Sequence, residues 1–309
     1  MRTLTRGTLG WMILVLLLSS LIAQPVRADT PAQPAALEED QPLTIVVIGT
    51  DYRKRSYLYG MGDTVMVFRV DVEEKRVDVM GFPRDLWVEI PDVEEDDGRT
   101  HGKLNQAYFF GTEGMGYYSG PGYGGGLMQA TFKENWDFEV DHYLVINMQI
   151  FREVVDTLGG IEVYNPAPVY SFQQKNQPKF PAGGYYFMGK EALMYARWRD
   201  PRNSYDRVDR QSIVIQAICE KAFQLESIPK LPEIISSFRG NVLTDLNLAE
   251  ISRLLYLAAT LPEDQIHYTR IPKDELYWSG TVWLEKEPGT IQGIMDQFAA
   301  GEWPPPEAE

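Results

Sequence analysis

One cysteine and three histidines are all that this 309-residue chain holds of the usual nucleophiles and soft metal ligands. Cys219 has no partner for an intramolecular disulfide, and its place in the apolar-periodic stretch from Ile213 to Phe223 reads as a buried structural thiol rather than a nucleophile. His101, His142 and His267 are scattered, with neither metal spacing nor a Ser-His-Asp pattern, so they are assigned no role. Basic residues are scarce: 29 Lys and Arg face 44 Asp and Glu, a formal charge of -15 that argues against a nucleic-acid partner. The glycine-rich stretch Gly111 to Gly126 lacks the G-x-x-x-x-G-K-[ST] pattern and is no P-loop. It reads as an ordinary surface excursion, with a lid or a sugar-stacking surface on Tyr117, Tyr118 and Tyr123 as the alternative. No internal repeat is visible.

Long hydrophobic runs are missing too, apart from Trp11 to Ala23, which falls short of the roughly 20 residues of a spanning helix. Arg2 and Arg6 precede that run and Val26 and Ala28 follow it at small-residue cleavage positions, the order of parts in a secretory signal. Residues 1–28 are therefore read as a signal peptide, with retention as an N-terminal membrane anchor the alternative. Either way the domain faces outside the cytoplasm, secreted or tethered at the outer face of the cytoplasmic membrane. Loss of Arg2, Arg6 and Arg27 takes the mature charge from -15 to -18. Residues 29–42, rich in Ala, Pro and acids, read as a disordered spacer, and residues 301–309 as a disordered tail.

Between them, 43–300 reads as one domain. Leu43 to Ile48 is a continuous β-branched strand, and Thr64 to Val70 with Arg76 to Met80 form a hairpin around Glu73-Glu74-Lys75. Further strands are expected at Trp87 to Ile90, Tyr143 to Ile146, Ile161 to Val163 and Gln265 to Ile271. Helices are expected at Lys103 to Phe110, Leu127 to Trp136, Gln149 to Leu158, Lys190 to Arg197, Arg207 to Gln224 and near Leu248 to Ala259. Such alternation gives an α/β fold, a three-layer α/β/α sandwich with a central mixed sheet and helices on both faces.

The chemistry sits in short polar islands at strand ends and helix starts: Gly49-Thr50-Asp51, Gly62-Asp63-Thr64, Pro83-Arg84-Asp85, Lys103-Leu104-Asn105, Arg197-Trp198-Arg199, Asp206-Arg207 and Arg210-Gln211. Asp51 and Asp63, at the ends of neighbouring strands, offer hard oxygen ligands for Mg²⁺, or serve as plain turn residues. Arginine forks suit phosphate oxygens, and Arg207, Arg210 and Gln211 share one helical face, although solvated surface arginines show the same spacing. Pairing of Arg84 with Asp85 is not expected, because neighbours on an extended chain point oppositely. Carboxylates and guanidinium groups in this combination suit diphosphate chemistry. A cluster of arginines would bind an anion locally against the acidic field of the whole molecule.

In this order the islands resemble the LytR-CpsA-Psr family, bacterial envelope proteins that move glycopolymers from a polyprenyl-diphosphate carrier to the cell wall. The matching pieces are VVIGTDYR (46 to 53), GDTVMVFRVD (62 to 71), VMGFPRDLWVEIP (79 to 91), GKLNQAY (102 to 108), VDTLGGIEV (155 to 163), GKEALMYARWRD (189 to 200) and DRVDRQ (206 to 211), within a motif core of 43–225. The resemblance implies Mg²⁺, or Mn²⁺, on Asp51 and Asp63, and diphosphate binding by Arg84, Lys103, Arg197, Arg199, Arg207 and Gln211. Arg84 or a nearby carboxylate such as Asp85 would activate the acceptor hydroxyl. The implied partners are a polyprenyl-diphosphate-linked glycan and a peptidoglycan acceptor, with glycan phosphate passing from one to the other. A polyprenyl-diphosphate hydrolase and a non-catalytic carrier-binding protein are the alternatives. The family's usual arginine two positions before the second aspartate is Met61 here, and Arg53, Arg55 or Lys103 could replace its charge. An apolar groove for the lipid is expected from Leu127 to Phe138, Ile213 to Phe223, Val145, Phe151 and Val154.

Overall fold

The computed structural model describes residues 42–51, 60–93, 100–171, 177–200, 205–223, 242–247, 250–251, 253–254, 257, 261–262 and 265–304. The expected leader and all but the last residue of the spacer lie outside them, as do Arg53, Arg55, Arg202 and residues 305–309. Along the chain run β1 (Leu43–Thr50), β2 (Gly62–Asp71), β3 (Arg76–Phe82), β4 (Trp87–Glu89), β5 (His101–Lys103), α1 (Leu104–Phe110), α2 (Tyr123–Trp136), β6 (His142–Asn147), α3 (Met148–Leu158) and β7 (Ile161–Asn165). There follow β8 (Val169–Tyr170), β9 (Pro178–Phe180), β10 (Gly183–Phe187), α4 (Gly189–Arg197), α5 (Asp206–Phe223), β11 (Leu243–Thr244), β12 (Ile266–Arg270), β13 (Leu276–Trp278), β14 (Trp283–Glu285) and α6 (Thr290–Ala299).

Six strands form one mixed sheet in the order β11-β6-β1-β2-β3-β12. The hairpin partners β1, β2 and β3 are antiparallel, β6 lies parallel to β1, and β12 lies parallel to β3. Side chains alternate across it. Val46, Ile48, Val65, Val67, Met80 and Phe82 face α1, α2 and α6 in one apolar core. On the other face Ile45, Met66, Val77 and Val79 pack with Val47, Phe68 and, on α5, Ile215. A third cluster locks α3, α4 and α5 to β7 and β10 through Val155, Ala192, Tyr195, Val214, Ile161 and Phe187. The result is the three-layer α/β/α sandwich expected from the alternating pattern.

The glycine-rich stretch is a surface excursion from Glu113 to Gly122, as expected, but not beyond. Its last part is already helix: α2 starts at Tyr123, four residues before the expected Leu127, and Gly124, Gly125 and Gly126 are buried. A Cβ on Gly124 would sit 2.6 Å from the Tyr108 carbonyl oxygen, and one on Gly125 would sit 2.4 Å from the Tyr143 ring. Glycine here permits α1, α2 and β6 to approach closely; its low helix propensity is overridden by packing.

One buried ionic cluster lies near the start of β3, at the end away from Pro83. Arg69 and Asp78 are cross-strand partners, 3.5 Å apart and both buried, and Asp78 also meets Arg76 Nε at 2.8 Å and His267 Nδ1 at 3.1 Å. Arg69 Nε donates to the Ala299 carbonyl at 3.0 Å, which fixes the end of α6 to the sheet. Just beyond, Trp303 Nε1 donates to Thr269 Oγ1 at 3.2 Å, so the segment expected as a tail is docked where it is described. Cys219 is a half-buried free thiol whose pKa is pushed up by burial, the inert state expected of it.

Candidate active site

The backbone of Met61 brings the two aspartates together. β1 and β2 pair out to Thr50 opposite Gly62, with an irregularity between Gly49 and Thr50. Beyond it the Asp51 N–H donates to the Met61 carbonyl at 3.0 Å, and the Met61 N–H donates to Asp51 Oδ1 at 2.8 Å. The Asp63 N–H donates to the same Met61 carbonyl at 3.0 Å. Main-chain groups do this work, so the missing arginine side chain does not disturb it. The Met61 sulfur takes a 3.7 Å contact from Asn105 Nδ2, and the buried Asn105 Oδ1 has no hydrogen-bond partner.

Arg84 lies between two carboxylates. Its Nη1 is 2.5 Å from Asp63 Oδ1 and its Nε is 3.3 Å from Asp85 Oδ2. The Asp85 contact overturns the expectation from an extended chain: Pro83 to Leu86 is a turn, closed by Leu86 N–H to the Pro83 carbonyl at 3.0 Å, and a turn brings neighbouring side chains to one side. Burial alone would lower the Arg84 pKa, but Asp63 and Asp85 hold it above its ordinary value, so this guanidinium stays charged. Asp85 is shared with Lys103, whose Nζ lies 3.2 Å from Asp85 Oδ1; Lys103 stands at the N-cap of α1, one residue before the helix.

Arg207 opens the first turn of α5 and is buried, 8% exposed, with no hydrogen-bond partner on Nε. Burial, then the like charge of Arg84, pushes its pKa down to about 10, with Asp63 and Asp85 pulling the other way and Arg199 adding repulsion. A turn later, Gln211 Nε2 donates to the Asp63 carbonyl at 3.3 Å. Arg210, on the same helical face by spacing, is no surface residue: it is buried and its Nη2 donates to the Trp198 carbonyl at 2.5 Å, closing the end of α4.

An apolar slot with about 90 Å³ of free space opens beside these groups. Asp63, Gln211 and Arg197 stand at its polar end; Val47, Met66, Met148, Phe151, Leu193 and Val214 line the rest. Leu193 and Arg197 also border an open cleft of about 550 Å³ that runs over Lys190, Trp198 and Arg199. The slot lies on the α3, α4 and α5 face. Phe151 and the start of α5 therefore line a groove as expected, whereas Leu127 to Phe138 and Val145 belong to the core on the opposite face of the sheet. Sequence periodicity identifies an apolar helix face but not which side of the sheet it covers.

Two residues not singled out as ligands complete the site. Thr50 and Asn147 line the slot, both are buried, and neither Thr50 Oγ1 nor Asn147 Nδ2 has a partner. Asn147 Oδ1 caps α3 by accepting from Gln149 and Ile150, a strand-to-helix Asn signature visible in the sequence. With Arg207 Nε, three buried donors in this region lack a partner, although buried donors are normally paired.

The donor set also fits a hard cation. Asp51 uses one oxygen on Met61 and Asp63 one on Arg84, which leaves a second oxygen on each carboxylate. Among the described residues no group of three or more His, Cys, Asp or Glu could hold a metal alone. Two carboxylates completed by substrate phosphates is the usual environment of Mg²⁺.

The sequence profile of the LytR_cpsA_psr family matches residues 19–298. The chain belongs to the LytR-CpsA-Psr family. Within this family it is 34% identical over 216 residues to the protein named polyisoprenyl-teichoic acid–peptidoglycan teichoic acid transferase TagU of Halalkalibacterium halodurans, covering 69% of this chain and 64% of that one. It is 30% identical over 245 residues to the TagU of Enterococcus faecalis, covering 77% and 74%. The chain thus spans about 64% of the length of the H. halodurans relative. Among solved structures, Bacillus subtilis TagV superposes with a TM-score of 0.64 at 22% identity, over 85% of this chain and 98% of that one. TagT bound to LIIa-WTA gives 0.62 at 21% identity, over 87% and 96%. These likenesses establish the fold of this LytR-CpsA-Psr protein.

Asp51, Asp63, Arg84, Asp85, Lys103, Arg207 and Gln211 meet at one end of the central sheet, and Arg197 and Arg199 border the slot and cleft beside it.

Proposed function

We propose that this protein transfers a glycan phosphate from a polyprenyl-diphosphate carrier to a hydroxyl of peptidoglycan, outside the cytoplasm. The observation that carries it is Arg207, a buried guanidinium beside Asp63 with an unsatisfied donor and a depressed pKa, in a cluster opening on an apolar slot. The transferase activity for which the family relatives are named supports the same direction.

In this proposal the prenyl chain enters the slot and the diphosphate lies against Arg84, Arg197, Arg199, Arg207 and Gln211. The acceptor oxygen bonds to the glycan-bearing phosphorus while the bond to the prenyl-phosphate oxygen breaks. Prenyl monophosphate leaves and a phosphodiester joins glycan to wall. Arg84, held charged by Asp63 and Asp85, neutralises the negative charge of the transferring phosphoryl group. It cannot serve as the base at its raised pKa. Asp85, held in place by Arg84 and Lys103, receives the acceptor proton, and a loose phosphoryl transition state needs little nucleophile activation. Asp51 and Asp63 would hold Mg²⁺ or Mn²⁺, which when bound would supply positive charge against the diphosphate.

Release of radiolabelled prenyl monophosphate, with and without a peptidoglycan oligomer, tests the reading. Acceptor-dependent release is expected. Release independent of acceptor would make the protein a hydrolase, and retention of intact donor in both tubes would leave a carrier-binding protein.

A further inference from the structure

Slot and cleft account for a donor on the β6, β1 and β2 side of Arg84, but the transfer proposed above also needs an acceptor at Asp85. On that other side stands the β13–β14 hairpin. The Trp283 N–H donates to the Asp85 carbonyl at 2.9 Å, and Leu86 and Trp283 form a parallel bridge, so the hairpin is fixed to the turn that carries Arg84 and Asp85. The Trp283 ring is buried and packs on Tyr205, centroids 5.2 Å apart at 80°. Its other neighbour is Trp278, at 5.1 Å and 53°. Trp278 itself is 43% exposed and Tyr277 is 48% exposed. An exposed indole backed by a buried one is held in place, which keeps its open face available.

The surroundings select the occupant. From Leu276 to Leu284 the sequence LYWSGTVWL contains no charged residue, in a chain of net charge -15. Nothing lies within 4 Å of the Cβ position at Gly280, so the tip of the hairpin is open. Ser279 and Thr281 flank it with hydroxyls. A polyanion finds no cation in this segment, and an anionic lipid surface is repelled by the whole molecule. A saccharide fits: its C–H bonds present positive edges to the negative face of an indole, and its hydroxyls take the remaining contacts.

We propose that the open face of Trp278 on this hairpin is the acceptor subsite, stacking a sugar ring of an uncharged glycan strand so that a neighbouring hydroxyl reaches Asp85. The proposal rests on the transferase reading for its reaction but not for its binding, and the two can fail separately.

The test uses the full chain. The indole N–H resonance of Trp278, assigned by its loss in Trp278→Ala, is followed during titration with chitotetraose and, separately, with phosphatidylglycerol vesicles. Chitotetraose should shift it and vesicles should not. In transfer assays Trp278→Ala should raise the half-saturating acceptor concentration about five- to tenfold, with Trp278→Phe recovering most of it. Donor affinity measured without acceptor should stay within about twofold, since the ring touches no donor group. A shift by chitotetraose without any transfer by the wild type would sink the transferase and keep the saccharide site. An unmoved indole, a shift by vesicles alone, or an unchanged acceptor curve in Trp278→Ala would overturn the subsite.

Discussion

Arg207 shows what the site sacrifices in the absence of its ligand. A buried guanidinium with a free Nε and a neighbouring Arg84 is destabilising until an anion arrives. Arg207→Met should therefore raise the melting temperature of the ligand-free protein by about 1–4 °C while lowering affinity for farnesyl diphosphate at least about tenfold. Calorimetric melts and titration calorimetry check the two halves; a lower melting temperature with unchanged affinity would contradict both. The pH dependence has a definite sign. The folded-state pKa of about 10 lies below the ordinary guanidinium value, so the charge penalises folding fully below pH 10 and the penalty is relieved as pH rises above 10. Diphosphate affinity runs the other way and falls above pH 10. These roles were legible in the sequence only as residue types in a recognisable order. That Arg84 is clamped, that Arg210 is structural, and that Thr50 and Asn147 line the slot with buried, unpaired polar atoms all depend on turns and burial that no spacing rule encodes.

Among the elements, regular strands and amphipathic helices were readable because burial imprints a period of 2 or 3.6. Short pieces were not: β8, β9, β10, β13 and β14 have two to five residues each, too few for alternation to register. Helix α6 was not among the expected helices although it carries the signal, with Ile291, Ile294, Met295 and Phe298 at i, i+3, i+4 and i+7 after Gly289, all four buried. The glycines of α2 misled because an isolated reading treats glycine as a breaker. The same substitution should consequently act oppositely in two helices. Gly126→Ala would place a Cβ 1.9 Å from the Pro121 carbonyl oxygen and should cost about 3 kcal/mol or more. Gly293→Ala meets nothing within 4 Å and should stabilise by about 0.5–1 kcal/mol. Urea midpoints at constant slope measure both, and equal signs would contradict the packing described for α2.

For the whole molecule the governing fact is a cationic cluster inside an acidic body of net charge -15. Its groups interact at 2.5–3.3 Å, where salt screens little, whereas the distant acidic field is screened strongly. Farnesyl diphosphate affinity should therefore change by less than about threefold between 0.05 and 0.3 M salt, where a surface built to attract polyanions would lose at least about tenfold. A steep fall measured by titration calorimetry would place the binding groups at the surface instead. The measurement that bears most directly on the proposed reaction is mass spectrometry of peptidoglycan oligomers after incubation with the full-length protein, a short synthetic polyprenyl-diphosphate glycan and Mg²⁺. The predicted product is the oligomer plus one glycan phosphate, formed by the wild type and lost in Asp63→Ala and Arg84→Ala. Oligomers of unchanged mass alongside free glycan phosphate, or a joined product undiminished in both variants, would contradict the assignment of this site.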